Sequence, residues 1–481
     1  MASPHLFLCI LLVVFGSYLA TISAAGDGKQ SFVVVSTSSF QTQDVCSTST
    51  STSTMKPRPN RAGAAVPLVH RHGPCAKSPS TDKPSSFAEA LHRSRVRADY
   101  IMSRALRGRG TTTTMEMHEQ EEGKVSIPAH LGTSEDSQEY VVTLGLGTPA
   151  VEQVLLLDTG SDLSWVQCAP CNSTDCYPQK DPLFDPRKSS TYAPIPCGSD
   201  VCKSLKSNHL DNGCSMNDNG TQSQCGYRVE YGGGLKTRGV YSTEALTLAP
   251  GEVVKDFHFG CAYKQRGADD KSDGLLGLGG APQSLPVQTS ALYGGSFSYC
   301  LPPVSSGTGF LALGAPSNTS GFSFTPMTDF MDDGTSYLVK LTGISVGGKQ
   351  LRIPRKVFEG GLIVDCGNII SHLPSTPYAK LRSAFRAAMA AYPLIPSDDD
   401  DTCYNFTGYS DVTVPKVALT FTGGVTVDLD VPNGVLLDGC LAFTESGSDG
   451  YVGFLGNVQM RTLEMLYDAR GGGLGFRTGA C

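Results

Sequence analysis

The sequence has little charge, few aromatic side chains and only one tryptophan. Of its 481 residues, 17% are charged and 8% are aromatic, and the net charge of −7 gives no general attraction to nucleic acid. Long charged helices are therefore not expected. The chain has instead 54 glycines and 40% hydrophobic residues, a composition that favours short strands joined by tight turns.

No apolar run is long enough to cross a bilayer. The first residues nonetheless have the features of a secretory signal: an apolar run from Leu6 to Phe15, a weak continuation to Leu19, and small residues at 23–25. A membrane anchor is the alternative, which the shortness of the run disfavours. We therefore expect residues 1–25 to be a signal peptide and the mature chain to have no membrane anchor.

Metal and phosphate sites are also not expected. The glycine-rich stretches 145–148 and 274–280 lack the Gly-Lys-Ser/Thr element that phosphate binding needs, and no metal-ligand cluster is visible. Cys168-x-x-Cys171 is compatible with zinc, but His209 is the one histidine in that stretch and no second C-x-x-C pair follows. We therefore expect no cofactor and no metal.

The chain is rich in cysteine. There are 16, of which seven lie between Cys168 and Cys225, and passage through the secretory pathway makes disulfides the favoured interpretation. Four Asn-x-Ser/Thr sequons, at Asn172, Asn219, Asn318 and Asn405, are candidate glycosylation sites. The candidate disulfide cysteines are Cys168, Cys171, Cys176, Cys197, Cys202, Cys214, Cys225, Cys261, Cys300, Cys403, Cys440 and Cys481.

The region before residue 137 differs in character from the rest. Residues 26–55 are rich in serine and threonine and are predicted to be disordered, whereas residues 56–110 carry 12 Lys/Arg against three Asp/Glu. Within them, 86–106 has helical spacing and begins with a capping box, Ser86 and Glu89. A basic helix is usually a solvated face, and it could also bind nucleic acid or an anionic membrane. The third interpretation is a propeptide, residues 26–136, that covers an acidic cleft until it is cut in the polar link after Gly108.

A weak internal duplication is the most informative feature of the remainder, which we divide into lobes 137–330 and 331–481. In each half an apolar strand delivers an Asp-x-Gly loop, and an apolar-apolar-Gly element follows downstream. These elements are 154–157, Asp158-Thr159-Gly160-Ser161 and 275–277 in the first half, and 362–364, Asp365-Cys366-Gly367-Asn368 and 454–456 in the second. Strands are further predicted at 140–144, 257–259 and 338–346, and one helix at 377–392.

Two facing lobes would bring Asp158 and Asp365 together. Amide hydrolysis without a metal needs a base to activate water and an acid to protonate the leaving group. Two carboxylates about 3 Å apart share one proton and supply both roles. The duplication therefore predicts a catalytic aspartate pair.

The motifs that carry these residues resemble those of the pepsin-like aspartic proteases, specifically the plant nepenthesin-like branch. LLLDTGSDLSWVQC at 155–168 is the most specific of them, and FGC, GLLGLG, FSYCL and LTGISVGG continue the likeness, as does VPLVHRHGPC at 66–75. The resemblance implies an all-β, bilobal fold with the active-site cleft between the lobes. It also implies a polypeptide substrate, a propeptide acting as an intramolecular inhibitor, a monomer, and a location in the apoplast or vacuole.

The same resemblance assigns roles to individual residues. Asp158 and Asp365 match the catalytic pair, and Tyr231, with Gly232, matches the flap that closes over substrate. Trp165 matches the tryptophan that supports the flap tyrosine, although packing is the alternative for both aromatic residues. The active-site support residues are Thr159, Gly160, Ser161, Cys366, Gly367 and Asn368.

Three features depart from the family pattern. Cys366 and Asn368 stand where the family has hydroxyl residues, and the flap carries Gly233, Gly234 and Leu235 where the family has Asp or Thr followed by Gly-Ser. A thiol donates poorly, so the cross-loop bond at 366 is expected to be weaker, and the Asn368 amide is expected to reach a carboxylate with altered geometry.

Setting Cys366 aside as a free thiol leaves 12 cysteines in 168–481. Twelve cysteines suffice for six disulfides, as the resemblance implies, and it also implies that Cys403 pairs with Cys440. Two functions remain open: an acid-active endopeptidase, and a catalytically weakened binding or inhibitor protein on the same scaffold.

Overall fold

The computed structural model describes four parts of the chain: residues 31–36, 65–70, 86–108 and 140–481. The last range excludes 180, 208–209, 217–222, 233, 267–271, 304–308, 317, 330–334, 397–401 and 469–471. The predicted signal peptide and the predicted processing link lie outside the described residues. The prediction of disorder over 26–55 is wrong for residues 32–36. These residues form a strand that pairs with a strand of the body of the protein.

Strands account for most of the regular structure, as predicted for an all-β chain. The part before residue 109 contains β1 (Phe32–Ser36), β2 (Ala65–His70) and helix α1 (Phe87–Gly108). The strands of the first half are β3 (Tyr140–Leu146), β4 (Val151–Asp158), β5 (Trp165–Gln167), β6 (Ala193–Pro194), β7 (Asp211–Met216), β8 (Ser223–Glu230), β9 (Lys236–Ala249), β10 (Glu252–Arg266), β11 (Gly274–Gly277), β12 (Phe297–Cys300), β13 (Gly309–Leu313) and β14 (Ser323–Asp329).

The second half continues in the same manner. Its strands are β15 (Tyr337–Val339), β16 (Leu341–Val346), β17 (Lys349–Gln350), β18 (Leu362–Val364), β19 (Ser371–Leu373), β20 (Leu394–Ile395), β21 (Cys403–Tyr404), β22 (Asp411–Pro415), β23 (Val417–Phe421), β24 (Thr426–Asp428), β25 (Leu436–Leu437), β26 (Cys440–Leu441), β27 (Phe443–Glu445), β28 (Gly453–Leu455), β29 (Glu464–Asp468) and β30 (Gly473–Arg477). All the strands predicted from the sequence are present, and the predicted strand at 338–346 is divided between β15 and β16.

Helices are few and short apart from α1. They are α2 (Asp200–Ser207), α3 (Leu285–Gln288), α4 (Ser290–Tyr293), α5 (Ser375–Ala388) and α6 (Asn457–Met460), with 3₁₀ turns at Pro186–Lys188 and Arg355–Phe358. The predicted helix at 377–392 is α5, which ends four residues early. No described helix has the length and apolar character needed to span a membrane.

The two halves are joined by a shared sheet. β12 pairs with β13 on one side and with β29 of the second half on the other, and β29 continues through β30 to β14. β2, from the region before the body, pairs with both β13 and β3. This sheet fixes the halves relative to each other and thereby fixes the cleft between them.

The predicted duplication is confirmed in the strand pairing. β4 runs parallel to β11, and β18 runs parallel to β28, so each half contains the same two-strand element. The strand residues are aliphatic and buried on both faces, as the neighbouring pairs Leu156 and Leu157, and Ile363 and Val364, are, and this is typical of parallel strands inside a core.

The 12 candidate cysteines form six disulfides, and Cys366 is a buried free thiol. The pairs are Cys168–Cys261, Cys171–Cys176, Cys197–Cys214, Cys202–Cys225, Cys300–Cys481 and Cys403–Cys440. The last is the pair that the family resemblance implied.

Among the predicted glycosylation sites, Asn172, Asn318 and Asn405 are exposed, and Asn219 lies outside the described residues. In each of the three exposed sequons the asparagine Oδ1 accepts a hydrogen bond from the N–H two residues later. Glycosylation at all four positions stays a prediction.

Candidate active site

Two equivalent strand ends bring the predicted catalytic aspartates into one buried site. Asp158 ends β4 beside Gly277, and its carbonyl accepts a hydrogen bond from Leu278 N–H at 2.8 Å. Asp365 follows β18, and its N–H donates to the Leu455 carbonyl at 3.1 Å. Asp158 is 2% exposed and Asp365 is fully buried.

The residue after each aspartate ties one loop to the other. The Thr159 hydroxyl accepts a hydrogen bond from Cys366 N–H at 2.9 Å and donates to the Val364 carbonyl at 3.3 Å. In the opposite direction, the Cys366 thiol donates to the Leu157 carbonyl at 3.6 Å. The loops are therefore linked in both directions, with a hydroxyl on one side and a weaker, longer thiol contact on the other.

The glycines after them permit the close approach of the two loops. A Cβ on Gly160 would lie 2.9 Å from Oδ1 of Asp365, and a Cβ on Gly367 would lie 2.9 Å from Oδ1 of Asp158. Any side chain at these two positions would push the carboxylates apart.

The two carboxylates receive unequal support from their own loops. Asp158 accepts the Gly160 N–H at 2.8 Å and the Ser161 hydroxyl at 2.5 Å. Asp365 accepts the Gly367 N–H at 3.1 Å and has no hydroxyl donor from residue 368. Asp365 is therefore the carboxylate that its own loop stabilises less.

A cation from the region before the body lies between the two carboxylates. Nη2 of Arg97, in α1, donates to Oδ1 of Asp158 at 2.5 Å and to Oδ1 of Asp365 at 2.8 Å. Nε of the same guanidinium donates to Oδ2 of Asp365 at 2.6 Å. One guanidinium therefore binds both aspartates, and it grips Asp365 in the bidentate manner that favours arginine over lysine.

Burial and charge act against each other in this cluster. Burial alone would lower the pKa of Arg97, but the attraction of Asp158 and Asp365 and the hydrogen bonds to them raise it well above its usual value. Burial raises the pKa of the Asp365 carboxyl; Arg97 lowers it in part, and the negative charge of Asp158 raises it further. Arg97 therefore stays charged, and it is the group that offsets the cost of burying two carboxylates.

α1 reaches this position because one face of the helix is small or apolar. Phe87 and Leu91 pack against Ile369 and Ile370, and Ala98 and Ile101 pack against Phe454 and its neighbours. Ser94 accepts the Ile370 N–H at 3.0 Å. The predicted capping box is present: Ser86 N–H donates to Glu89 Oε2 at 2.9 Å, and Glu89 N–H donates to Ser86 Oγ at 3.4 Å.

The predicted flap closes on the backbone of that helix. Trp165 Nε1 donates to the Tyr231 hydroxyl at 2.9 Å, and both aromatic residues are buried. A Cβ on Gly232 would lie 2.5 Å from Cα of Arg97, so this glycine lies directly against the helix. Burial raises the pKa of Tyr231 well above its usual value, with a further contribution from the Asp158 charge, and the tyrosine hydroxyl therefore stays neutral.

Comparison with known proteins is consistent with this geometry. Residues 140–315 match the family described as "Xylanase inhibitor N-terminal", and residues 336–478 match "Xylanase inhibitor C-terminal". An aspartyl protease family protein of Arabidopsis thaliana is 36% identical over 92% of this chain and 92% of its own length. Aspartyl protease AED1 of the same plant is 35% identical over 100% of this chain and 98% of its own length, and aspartic proteinase nepenthesin-2 of Nepenthes gracilis is 31% identical over 76% and 83%. The chain belongs to the plant family of pepsin-like aspartic proteases.

Solved structures support the fold of this aspartic protease family member. Basic 7S globulin from soybean superposes with a TM-score of 0.56 at 20% identity, covering 71% of this chain and 91% of the globulin. Conglutin gamma from lupine seeds gives a TM-score of 0.56 at 20% identity, with 71% and 92% coverage. At this identity the likeness concerns the bilobal, mainly β fold alone.

The sequence predicted that the side-chain amide of Asn368 would reach a carboxylate of the pair. That expectation is wrong: the side chain is fully buried, and neither Oδ1 nor Nδ2 has a hydrogen-bond partner among the described residues. The nearby Cys366 thiol is 2% exposed, and burial raises its pKa to about 12, with a smaller contribution from the Asp158 charge. Such a thiol is neutral and unreactive while it remains buried.

Arg97 is the functional residue that sequence reasoning did not single out. Val96 of α1 is only partly buried, and the buried positions of the helix are Phe87, Ala90, Leu91, Ser94, Ala98 and Ile101. Ala90, Ser94, Arg97 and Ile101 fall at helical spacing, so the sequence does contain a cation on the inner face. Among the described residues, no cluster of three or more His, Cys, Asp or Glu side chains could hold a metal ion.

Proposed function

We propose that the chain is the secreted zymogen of an aspartic endopeptidase, in which Asp158 and Asp365 are catalytic and residues 26–136 form an inhibitory propeptide. The observation that carries the proposal is the placement of the Arg97 guanidinium on both aspartates at once. A cation that neutralises both carboxylates is expected where a working pair must be held inactive. A pure binding protein would have no activity for it to suppress.

The chemistry follows from the unequal support of the two carboxylates. With Arg97 removed, the pair would hold one shared proton, because two buried carboxylates at short distance do not both ionise. Asp158, which has the Ser161 hydroxyl and the Gly160 N–H as donors, is the better-stabilised anion and acts as the base that activates water. Asp365 carries the proton and donates it to the substrate carbonyl oxygen while Asp158 takes a proton from the attacking water. As the C–N bond breaks, Asp158 gives its proton to the leaving nitrogen and Asp365 takes one back from a hydroxyl of the tetrahedral intermediate.

The propeptide would act by occupying the place of the substrate. α1 fills the space between the flap residue Gly232 and the aspartates, and its apolar residues cover Ile369, Ile370 and Phe454. An extended substrate needs the same space under the flap. Removal of α1 would therefore free the carboxylates and the apolar surface in one step.

The test is proteolysis of a denatured polypeptide by the processed protein between about pH 2 and 6, with and without pepstatin, a transition-state-like inhibitor of this class. We expect pepstatin-sensitive cleavage in the wild type and none in Asp158→Ala or Asp365→Ala. Correct folding of the two variants is checked by their circular dichroism. Cleavage that persists in both variants, or a folded and processed wild type that cleaves nothing in this range, would overturn the proposal.

The second candidate is a binding protein with weak or no turnover. The unpartnered Asn368 amide beside Asp365 favours it, because the residue that should complete the second loop makes no hydrogen bond there. The family descriptions that match both halves refer to xylanase inhibitors. The double variant Cys366→Ser, Asn368→Thr decides between the two candidates: a processed double variant that still cleaves nothing while the protein binds a xylanase tightly would select the binding function.

A further inference from the structure

The N-terminal strand β1 lies on the second half of the molecule and pairs with a strand of the body. β1 runs antiparallel to β22, with Val33 opposite Val414 and Val35 opposite Val412. The pairing is extended at one end by the Lys416 N–H, which donates to the Ser31 carbonyl at 3.0 Å. In the described part of the chain, β22 pairs with no other strand.

The backbone of β22 is divided between two partners. Thr413 N–H donates to the Tyr392 hydroxyl at 2.7 Å, which turns that amide away from β1. Because the N–H groups of alternate residues in a strand point to opposite sides, the amides of Val412 and Val414 face β1. Removal of β1 would leave these two residues with unpaired backbone groups on an open edge.

The side chains of the pair follow the same alternation. Val35 is 5% exposed and belongs to the main core with Val412 and Val414, and Val33 packs against that core. Val34 is 68% exposed and has its side chain on the outer face. The side chains at 33 and 35 therefore contact the core, whereas the side chain at 34 faces away from it.

A turn of two glycines lies against the start of β1. Gly347 and Gly348 connect β16 and β17 with φ of +56° and +74°. A Cβ on Gly347 would lie 3.3 Å from the Phe32 ring, and a Cβ on Gly348 would lie 2.8 Å from Ser31 Oγ. The turn is thus shaped to receive the start of β1 closely, in a conformation that favours glycine.

We propose that the edge formed by Asp411–Pro415 is a strand-binding site, separate from the aspartate pair. Its ligand is an extended peptide segment with β-branched aliphatic side chains at two alternate positions, added antiparallel to β22 by main-chain hydrogen bonds. In the uncut chain the ligand is residues 31–36. Because recognition uses backbone groups, two core-facing side chains and the close approach of the start of the segment to the glycine turn, the site accepts such a segment from a separate peptide as well.

The first experiment opens the site in the full-length, uncut chain at neutral pH. Val35→Asp places a charge in the core beside Val412 and is expected to displace β1, whereas Val34→Asp is the matched control on the outer face. Hydrogen–deuterium exchange should rise by at least about tenfold at the Val412 and Val414 amides in Val35→Asp and stay unchanged in Val34→Asp. The Thr413 amide, bonded to Tyr392, serves as the internal reference.

The second experiment refills the site from outside. A synthetic peptide with the sequence of residues 30–37, QSFVVVST, is added to the Val35→Asp chain, and its binding is measured by fluorescence anisotropy together with exchange. We expect the peptide to restore protection of Val412 and Val414, and a peptide with aspartate at the position of Val35 to bind about tenfold more weakly or worse.

Three results would overturn the proposal. They are an unchanged exchange rate in Val35→Asp, an opened edge that does not bind the peptide, and equal binding of the aspartate-containing peptide. The readouts involve neither Asp158 nor Asp365, so failure here is distinct from failure of the protease proposal.

Discussion

At the scale of single residues, the two aspartates differ in one hydrogen bond that their own loops supply. The Ser161 hydroxyl donates to Asp158 at 2.5 Å, whereas the side-chain amide of Asn368, at the corresponding position after Asp365, has no hydrogen-bond partner among the described residues. A hydroxyl hydrogen bond to an ionised carboxylate contributes about 1.5–3 kcal/mol. The missing donor therefore leaves the proton more firmly on Asp365.

This difference leads to a prediction for Asn368→Thr. The new hydroxyl should donate to Asp365 and lower the raised pKa of that carboxyl, because hydrogen bonding favours the ionised form. The proton that the pair needs would then be lost at lower pH. We expect the alkaline limb of the kcat/KM profile of the processed enzyme to move down by about one pH unit or more.

The control for this prediction is Asn368→Ala, which removes the buried amide without supplying a donor. Its alkaline limb should stay in place, and its thermal stability should not fall by more than the loss of packing, because the amide makes no hydrogen bond to lose. An equal shift in the alanine and threonine variants would contradict the assigned cause.

The sequence predicted the position of these residues but not all of their contacts. The Asp-x-Gly loops and their glycines follow from local pattern, because close backbone approach admits no side chain at Gly160 or Gly367. The orientation of Asn368 does not follow in this way. It depends on how a fully buried amide packs against the rest of the second loop, which no spacing in the sequence reports.

At the scale of elements, the sequence predicts that α1 is a helix but does not predict the surface against which it packs. Its start is encoded locally, since Ser86 and Glu89 satisfy each other's N–H groups. Its docking depends on distant residues such as Ile370 and Phe454, which the chain brings together only when the second half has folded. The same reason explains why β1 was predicted to be disordered: its partner β22 lies more than 370 residues away.

The docking of α1 can be tested with Arg97→Gln. Without the cation, docking of α1 would bury two carboxylates with no compensating charge, and breaking such a buried pair costs about 3–5 kcal/mol. We expect the variant to release the propeptide and convert to the processed form roughly a hundredfold faster than the wild type at the same pH. Arg97→Lys keeps the charge but cannot bind both aspartates in the same fork geometry. Its rate of conversion should lie between those of the wild type and Arg97→Gln.

Arg95→Gln is the matched control for this series. It removes the same charge from the same helix, but Arg95 donates to the Thr444 hydroxyl at 3.4 Å and not to the aspartates. Conversion is followed on gels over time, after thermal unfolding has confirmed that each uncut variant is folded. Equal acceleration in the Arg95 and Arg97 variants would mean that general helix charge, and not the contact with the pair, holds α1.

At the scale of the whole molecule, proton binding and docking of α1 are linked. Docked Arg97 lowers the pKa of Asp365, while burial and the charge of Asp158 raise it. The docked guanidinium contacts both carboxylates and favours their ionised forms, whereas a free pair keeps one shared proton. The undocked state therefore binds more protons than the docked state. By linkage, acid must favour undocking, and the docked state must gain stability as the pH rises through the range in which the pair loses its proton.

This linkage is measurable with the chain's only tryptophan. Trp165 is 1% exposed and donates to Tyr231, whose neighbour Gly232 lies against Arg97, so its fluorescence should change when α1 leaves the flap. After a rapid pH drop on the uncut protein, we expect this change to precede cleavage and its amplitude to increase as the final pH is lowered. In Arg97→Gln the pH dependence should be much flatter, because the charge that shifts the proton equilibrium is gone. A fluorescence change that follows cleavage, or one whose pH dependence survives in Arg97→Gln, would contradict the linkage.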